Sequence, residues 1–127
     1  MKENKLKIKI DRPIVMVFEF TINPDNTPLW VDIIVKEEAN LPIKLGTRYS
    51  NTNRFEEVSE YIVSRYIPNE VFELESLHSD YRVRYTYKTV ENNATELEYF
   101  EWVTSGDLNE PFTLDILEKL KTVIESQ

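Results

Sequence analysis

The sequence predicts an α+β fold: a seven-stranded antiparallel sheet packed against a long C-terminal helix, with two short helices after the first strand. Three observations carry this. Strand-like runs follow one another instead of alternating with helices, which favours an antiparallel sheet. Turn residues break the middle of the chain roughly every ten to twelve positions, the spacing of a meander. The last segment is amphipathic and supplies a cover for one face of the sheet. With 127 residues, positions 1–127 are expected to form one domain.

Taken in order, Leu6, Ile8 and Ile10 alternate with Lys5, Lys7 and Lys9, the period of a half-buried strand. Asp11 is placed to cap a first helix near whose start Pro13 sits. Ile14, Val15, Val17, Phe18 and Ile22 follow at helical spacing. Asn23-Pro24 ends that helix, and a second short one is expected from Pro24 to Trp30, interrupted or restarted at Thr27-Pro28. Strands are then expected at Ile33–Glu38, Thr47–Phe55, Val58–Ile67, Val71–Leu77, Tyr81–Val90 and Thr95–Thr104. Asn109-Glu110-Pro111 reads as the start of the final helix, whose apolar face is Phe112, Ile116, Leu117, Leu120, Val123 and Ile124.

Strand parity describes the interior. Tyr81, Val83, Tyr85 and Tyr87 share a face opposite Arg82, Arg84, Thr86 and Lys88, so the aromatic set points inward. Phe72, Leu74 and Ser76 point inward against Glu73 and Glu75. Opposite Arg48, Ser50, Thr52 and Arg54, the inward set is Tyr49, Asn51, Asn53 and Phe55. Amides and phenols on an enclosed face need hydrogen-bond partners in a solid core, or water or a ligand in a hollow one. In the last strand Glu101 shares a face with Leu97, Tyr99 and Val103, and Phe100 and Trp102 take the other. An exposed or bulge-placed Glu101 is the expected reading, since glutamate is seldom fully buried and one inserted residue flips everything beyond it; an interior Glu101 would be a candidate acid or base with a raised pKa. Arg65, beside Val63 and Ile67 by parity, has two placements: inside as an anchor for an acidic ligand group, or on the outer face.

Composition excludes several classes. There are no cysteines and one histidine, His78, which removes thiol chemistry and multi-histidine metal sites. The formal net charge is −8, unfavourable for a phosphate backbone. No apolar run reaches the ~18 residues of a membrane span, and the first residues show no apolar signal region. The expectation is a cytoplasmic protein with no nucleic-acid partner and no stable membrane insertion, monomeric or weakly dimeric. His78-Ser79-Asp80 reads as a turn, since adjacent residues do not reproduce triad geometry. Asn93-Ala94-Thr95 reads as a hairpin turn. Glu37-Glu38 and Glu56-Glu57 lie in no calcium-loop pattern and read as solvated charge.

Several ordered segments resemble one family. Ile10-Asp11-Arg12-Pro13-Ile14-Val15-Met16-Val17-Phe18-Glu19-Phe20 is similar to the first strand and helix of the START-like superfamily, in its polyketide cyclase/dehydrase and lipid-transport-like (SRPBCC-type) branch. Asn26-Thr27-Pro28-Leu29-Trp30, the run Leu41–Tyr49, Tyr66-Ile67-Pro68-Asn69 and the Gly106-Asp107-Leu108 entry to the last helix continue the likeness. The resemblance implies a helix-grip fold, with the sheet curled around the C-terminal helix and a cavity between them. It implies binding of lipids, hormones, polyketides or other apolar molecules. It brings no universal catalytic residue and no cofactor. The chain departs from the pattern in a hairpin near Arg54-Phe55-Glu56-Glu57 without glycine and in a short last helix.

The leading expectation is therefore a binding protein for an apolar or aromatic small molecule. Tyr49, Asn51, Phe72, Tyr85, Tyr87 and Tyr99 would line the sheet side, Leu117 and Leu120 the helix side, and Trp30 the mouth. A cyclase- or dehydratase-type enzyme is the alternative, with Glu101, Arg65 and the tyrosines as its candidates. A third reading is a protein-interaction module using Phe100 and Trp102 on the outer face.

Overall fold

A computed structural model describes residues 1–127. The order is β1 (Lys2–Ile10), α1 (Ile14–Ile22), a 3-10 turn (Pro24–Asn26), α2 (Thr27–Trp30), β2 (Ile34–Ala39), β3 (Arg48–Asn53), β4 (Val58–Ile67), β5 (Val71–Ser76), β6 (Arg82–Val90), β7 (Ala94–Val103) and α3 (Leu114–Glu125). All strand pairs are antiparallel, and the sheet order is β1-β7-β6-β5-β4-β3-β2. The first two strands thus occupy opposite edges. The chain between them must cross the sheet, and α1 and α2 make that crossing.

β1 keeps its alternation: Lys5, Lys7 and Lys9 are exposed, while Leu6 and Ile8 are half-buried and Ile10 fully buried. α3 lies against β1 and α2. Leu117, Leu120 and Ile124 on its apolar face have no exposed surface, nor do Ile10, Val17 and Leu97 around them. This is the solid end of the core.

Two predicted helix starts are displaced. Asp11 does not cap α1, whose N-cap is Pro13. The Asp11 amide instead donates to Glu125 Oε2 at 2.7 Å, and the Arg12 guanidinium donates to the Glu125 carbonyl. These bonds tie the β1–α1 corner to the end of α3, where a cation also complements the helix dipole. Asn109-Glu110-Pro111 does not open α3, which begins at Leu114 after Thr113. The reason lies at Phe112: its N–H donates to Glu101 Oε2 and its carbonyl accepts from Asn4 Nδ2, both at 2.8 Å. Glu110 itself has φ 51°, in the left-handed region, so the backbone at the expected start is not helical.

Val83, Tyr85 and Tyr87 are buried on the concave face, as are Phe72, Leu74 and Tyr49. Phe55 is not; it is 65% exposed. β3 ends at Asn53, whose side-chain oxygen accepts from the Phe55 and Glu57 amides at 2.9 and 3.0 Å. That turn closes the hairpin before Phe55 can join the strand. β7 runs without a bulge, and from Thr95 onward buried and half-buried residues alternate, so Glu101 is interior and not exposed or re-aimed as expected.

Two register shifts do occur, one between Ile34 and Lys36 in β2 and one between Val63 and Arg65 in β4. Arg65 is exposed on the convex side, and Tyr66 takes the inward place opposite Phe72. Phe100 and Trp102 stack on the convex face at 4.8 Å, with Lys5 over the first ring and Arg84 over the second. Both rings are half-buried under their own cations.

Leu117→Ala should cost about 2–5 kcal/mol, since α3 and β1 hold that side chain too tightly to collapse around the gap. A fall in urea midpoint at unchanged slope would register it; a loss under 1 kcal/mol would contradict the packing described.

Candidate functional site

Away from α3 the concave face is not filled. A cavity of about 590 Å³ lies over the concave face of β2–β7, walled by Val31 and Ile33 before β2 and roofed by the segment Ser105–Phe112. Its floor is aromatic and aliphatic: Phe72, Leu74, Val83, Tyr85 and Tyr99. The rings form a continuous row across the sheet. Tyr49 meets Phe72 at 5.7 Å, Phe72 meets Tyr85 at 6.0 Å, Tyr85 meets Tyr99 edge-on at 5.3 Å, and Tyr99 stacks flat on Phe112 at 4.5 Å.

Glu101 holds the roof in place. It is 2% exposed. Oε1 accepts from the Tyr81 hydroxyl at 2.7 Å, and Oε2 accepts from Asn4 Nδ2 and the Phe112 amide, both at 2.8 Å. This carboxylate is engaged by three protein donors, which is how a buried charge becomes tolerable. It borders the cavity but has little capacity left for a substrate.

Glu37 differs. It sits opposite Asn51 across β2 and β3. Its Oε1 accepts from Thr27 Oγ1 at 2.6 Å, and its Oε2 has only a long contact, 3.4 Å, from Asn51 Nδ2. Burial raises its pKa, and the bonds from Thr27 and Asn51 offset that only in part. Reading Glu37 as solvated charge is corrected here. The register shift before Lys36 turns Lys36 outward and Glu37 inward; Glu38 stays exposed, paired with Lys36 at 2.6 Å.

The phenols are strongly perturbed. Burial pushes the Tyr85 hydroxyl well above its ordinary pKa, and the neighbouring tyrosines with Glu37 and Glu101 push it further. Burial raises Tyr61 as well, and both carboxylates act on it. Most phenols have partners: Tyr49 donates to the Ile22 carbonyl at 2.6 Å, and Tyr87 bonds Thr21 at 2.5 Å. Tyr85 lines the cavity and its hydroxyl makes no hydrogen bond to another side chain or to the backbone; the one fully buried side-chain polar atom without a partner is Trp30 Nε1, behind the roof.

No family model matches the chain, and no curated protein matches it. Solved structures do. XoxI from Bacillus cereus aligns at a TM-score of 0.78 and 11% identity, covering 98% of this chain and 96% of that one. Protein MLL2253 from Mesorhizobium loti aligns at 0.75 and 15%, covering 98% of each. Ara h 8.0201 aligns at 0.68 and 11%, covering 99% of each. The chain has the helix-grip fold. At these identities the likeness is one of fold.

Within this helix-grip frame, Tyr49, Asn51, Phe72, Tyr85 and Tyr99 are gathered around the cavity. Trp30, Tyr87, Leu117 and Leu120 are not. Trp30 is 2% exposed and packs edge-on to Phe112 at 5.8 Å, behind the roof rather than at a mouth. Tyr87 packs against Phe18 at 5.0 Å. Leu117 and Leu120 face the β1 side, because the short α3 covers only that part of the grip. The roof opposite the open part is the irregular segment before α3. Asn4, Glu37, Tyr61 and Tyr81 were not among the expected site residues. Asn4 shares the inward parity of Leu6 and Ile8, a signal present in the sequence; Glu37 has none, because a bulge placed it.

At the rim, His78 Nε2 lies 2.9 Å from Glu60 Oε1. Asp80 accepts from the amides and hydroxyls of Thr104 and Ser105, which lowers its pKa. These contacts build a turn and leave Ser79 with no activating base.

Glu101→Ala should destabilise the protein by about 3 kcal/mol, since the Phe112 amide, Asn4 and Tyr81 lose a charged acceptor together. Chemical denaturation measures this, and a change under 1 kcal/mol would deny Glu101 its role. Glu37→Gln should act in the opposite sense. A carboxyl whose folded pKa is raised stabilises the fold below its unfolded pKa and loses that contribution as pH rises through the folded value. Ligand-free E37Q should therefore melt higher than the parent at pH 7 and alongside it at pH 4. A gap that is independent of pH would refute the assignment.

Proposed function

We propose that the chain binds an apolar or aromatic small molecule in the cavity under the Ser105–Phe112 roof. The observation that carries this is the cavity itself: about 590 Å³, above the ~300 Å³ where ligand sites begin. Its lining combines an aromatic floor with a few convergent polar groups, the composition expected of such sites. Tyr49, Phe72 and Tyr99 supply contact area, and Asn51 and Tyr85 supply orientation. Trp30, Tyr87, Leu117 and Leu120 act behind this layer as its support. The helix-grip likeness adds weight at the level of scaffold, since it encloses a space between sheet and helix.

Binding without catalysis is the reading this geometry favours. Glu101, the carboxylate expected to serve a cyclase- or dehydratase-type reaction, is bonded to Asn4, Tyr81 and Phe112, so moving a proton there would disturb the roof. The convex face offers less for a partner protein, because Phe100 and Trp102 lie under Lys5 and Arg84.

Fluorescence of the neutral probe N-phenyl-1-naphthylamine should rise on titration with protein. Val83→Phe, which projects a ring into the cavity, should weaken that binding at least tenfold while the far-UV circular dichroism is unchanged. Denaturing mass spectrometry of freshly purified protein provides an independent readout. Absence of both a released molecule and probe binding would remove the proposal.

A further inference from the structure

The side chains facing the cavity are unbalanced in charge. They include Glu37 and Glu101 inside, and Glu60, Asp80, Asp107 and Glu110 toward the rim; no lysine or arginine lines it. An acidic lining alone would signify little on a chain of net charge −8. Two further features give it direction. Tyr85 is 9% exposed and lines the same space, and no hydrogen bond within the protein engages its hydroxyl. Glu37 is the less satisfied of the two interior carboxylates: Glu101 takes three close hydrogen bonds, while Glu37 takes one close bond from Thr27 and a long one from Asn51. Open hydrogen-bonding capacity in the cavity thus includes a carboxylate and a phenol, set among aromatic faces.

Each candidate ligand charge meets this set differently. A carboxylate or phosphate head would be buried beside Glu37 and Glu101 with no cation to neutralise it. A neutral hydroxyl could bond Tyr85 but would leave the Glu37 charge uncompensated. A protonated amine compensates it, donates to Glu37 Oε2, and gains from the negative faces of tyrosine rings. The acidic rim would also concentrate cations at the entrance.

We infer that the ligand is an organic cation, an apolar or aromatic body bearing one protonated amine, with Glu37 as its anchor and the Tyr85 hydroxyl as a second contact. This rests on the cavity-binding function proposed above and specifies the chemistry of its ligand. It separates this site from one built for fatty acids or other anionic amphiphiles, which would require a lysine or arginine where this cavity has none.

Three matched probes test it: 2-(1-naphthyl)ethylamine, 2-(1-naphthyl)ethanol and 3-(1-naphthyl)propionate. Each is titrated into the full chain at pH 7 and followed by backbone-amide NMR shifts of the cavity residues. The amine should bind at least tenfold tighter than the alcohol, and the carboxylate more weakly than the alcohol. In Glu37→Gln the amine-to-alcohol preference should fall below threefold. Glu19→Gln on α1, outside this cavity, controls for general attraction of a cation to an acidic protein and should keep the preference. Alcohol binding with an amine preference under tenfold, a carboxylate that binds tightest, or a preference that survives E37Q overturns the cation assignment and leaves cavity binding standing. Failure of all three probes to shift the cavity residues overturns both.

Discussion

The cavity depends on the Glu101 carboxylate. The segment from Thr104 to Thr113 has no ladder and no helix of its own to hold it over the sheet. Glu101 and Asn4 supply the missing constraint by taking the Phe112 backbone from both sides, N–H to Glu101 and carbonyl to Asn4. That fixes Phe112 flat on Tyr99 and edge-on to Trp30. One polar cluster thereby converts a loose linker into a roof and sets where α3 begins. A glutamate at this depth is costly unless fully bonded, and here the bonds come from the elements it must join.

Two single-residue insertions set the electrostatic character of the interior. With unbroken alternation from Ile34, Lys36 would point inward and Glu37 outward. With unbroken alternation from Val63, Arg65 would point inward. The shifts after Ile34 and Val63 reverse both. Two cations leave the concave face, and Glu37 and Tyr66 enter it. Bulges re-aim everything beyond them, so two local backbone events decide the sign of the charge presented to a ligand. The same pair of shifts explains why neither Arg65 nor Glu37 could be placed by counting in twos.

The sequence was most informative where periodicity is long and unbroken. β4 falls on the expected residues Val58–Ile67, and the split second helix around Thr27-Pro28 appears as a 3-10 turn followed by α2. The inward tyrosines of β6 needed only the period of two; the same count groups Glu101 with Leu97 and Tyr99, but the rarity of buried glutamate argues for an exposed or bulged placement, which the unbroken β7 overturns. Legibility failed where side chains far apart in sequence compete for backbone groups. Asn109-Glu110-Pro111 has the composition of a helix start, but Phe112 is claimed by Asn4, 108 positions away. Phe55 was lost to a turn made by Asn53. The extent of the cavity was also illegible, because it depends on how much of the concave face a twelve-residue α3 covers. Leu117 and Leu120 were read correctly as apolar and inward; they seal the β1 side, while the void opens beside them.

Most of the structure satisfies its buried polar groups: Tyr49, Tyr81 and Tyr87 are bonded, and Glu73, although on the convex face, is paired with Arg84 at 2.7 Å. The Trp30 indole N–H is left without a partner behind the roof; Glu37 and Tyr85 are also under-bonded, and those two share the cavity. A fold that optimised itself alone would place glutamine or an aliphatic residue at 37 and phenylalanine at 85, because an under-bonded carboxylate and a free phenol both favour the unfolded chain. Sites that depart from local consistency in an otherwise consistent structure are where function is expected. The ligand-free protein therefore carries a small instability at these two side chains that a complementary molecule would relieve, and the free energy regained on contact adds to its affinity. Stability and binding are coupled through the same atoms: changes that settle Glu37 in the empty protein must weaken its preference for the occupant.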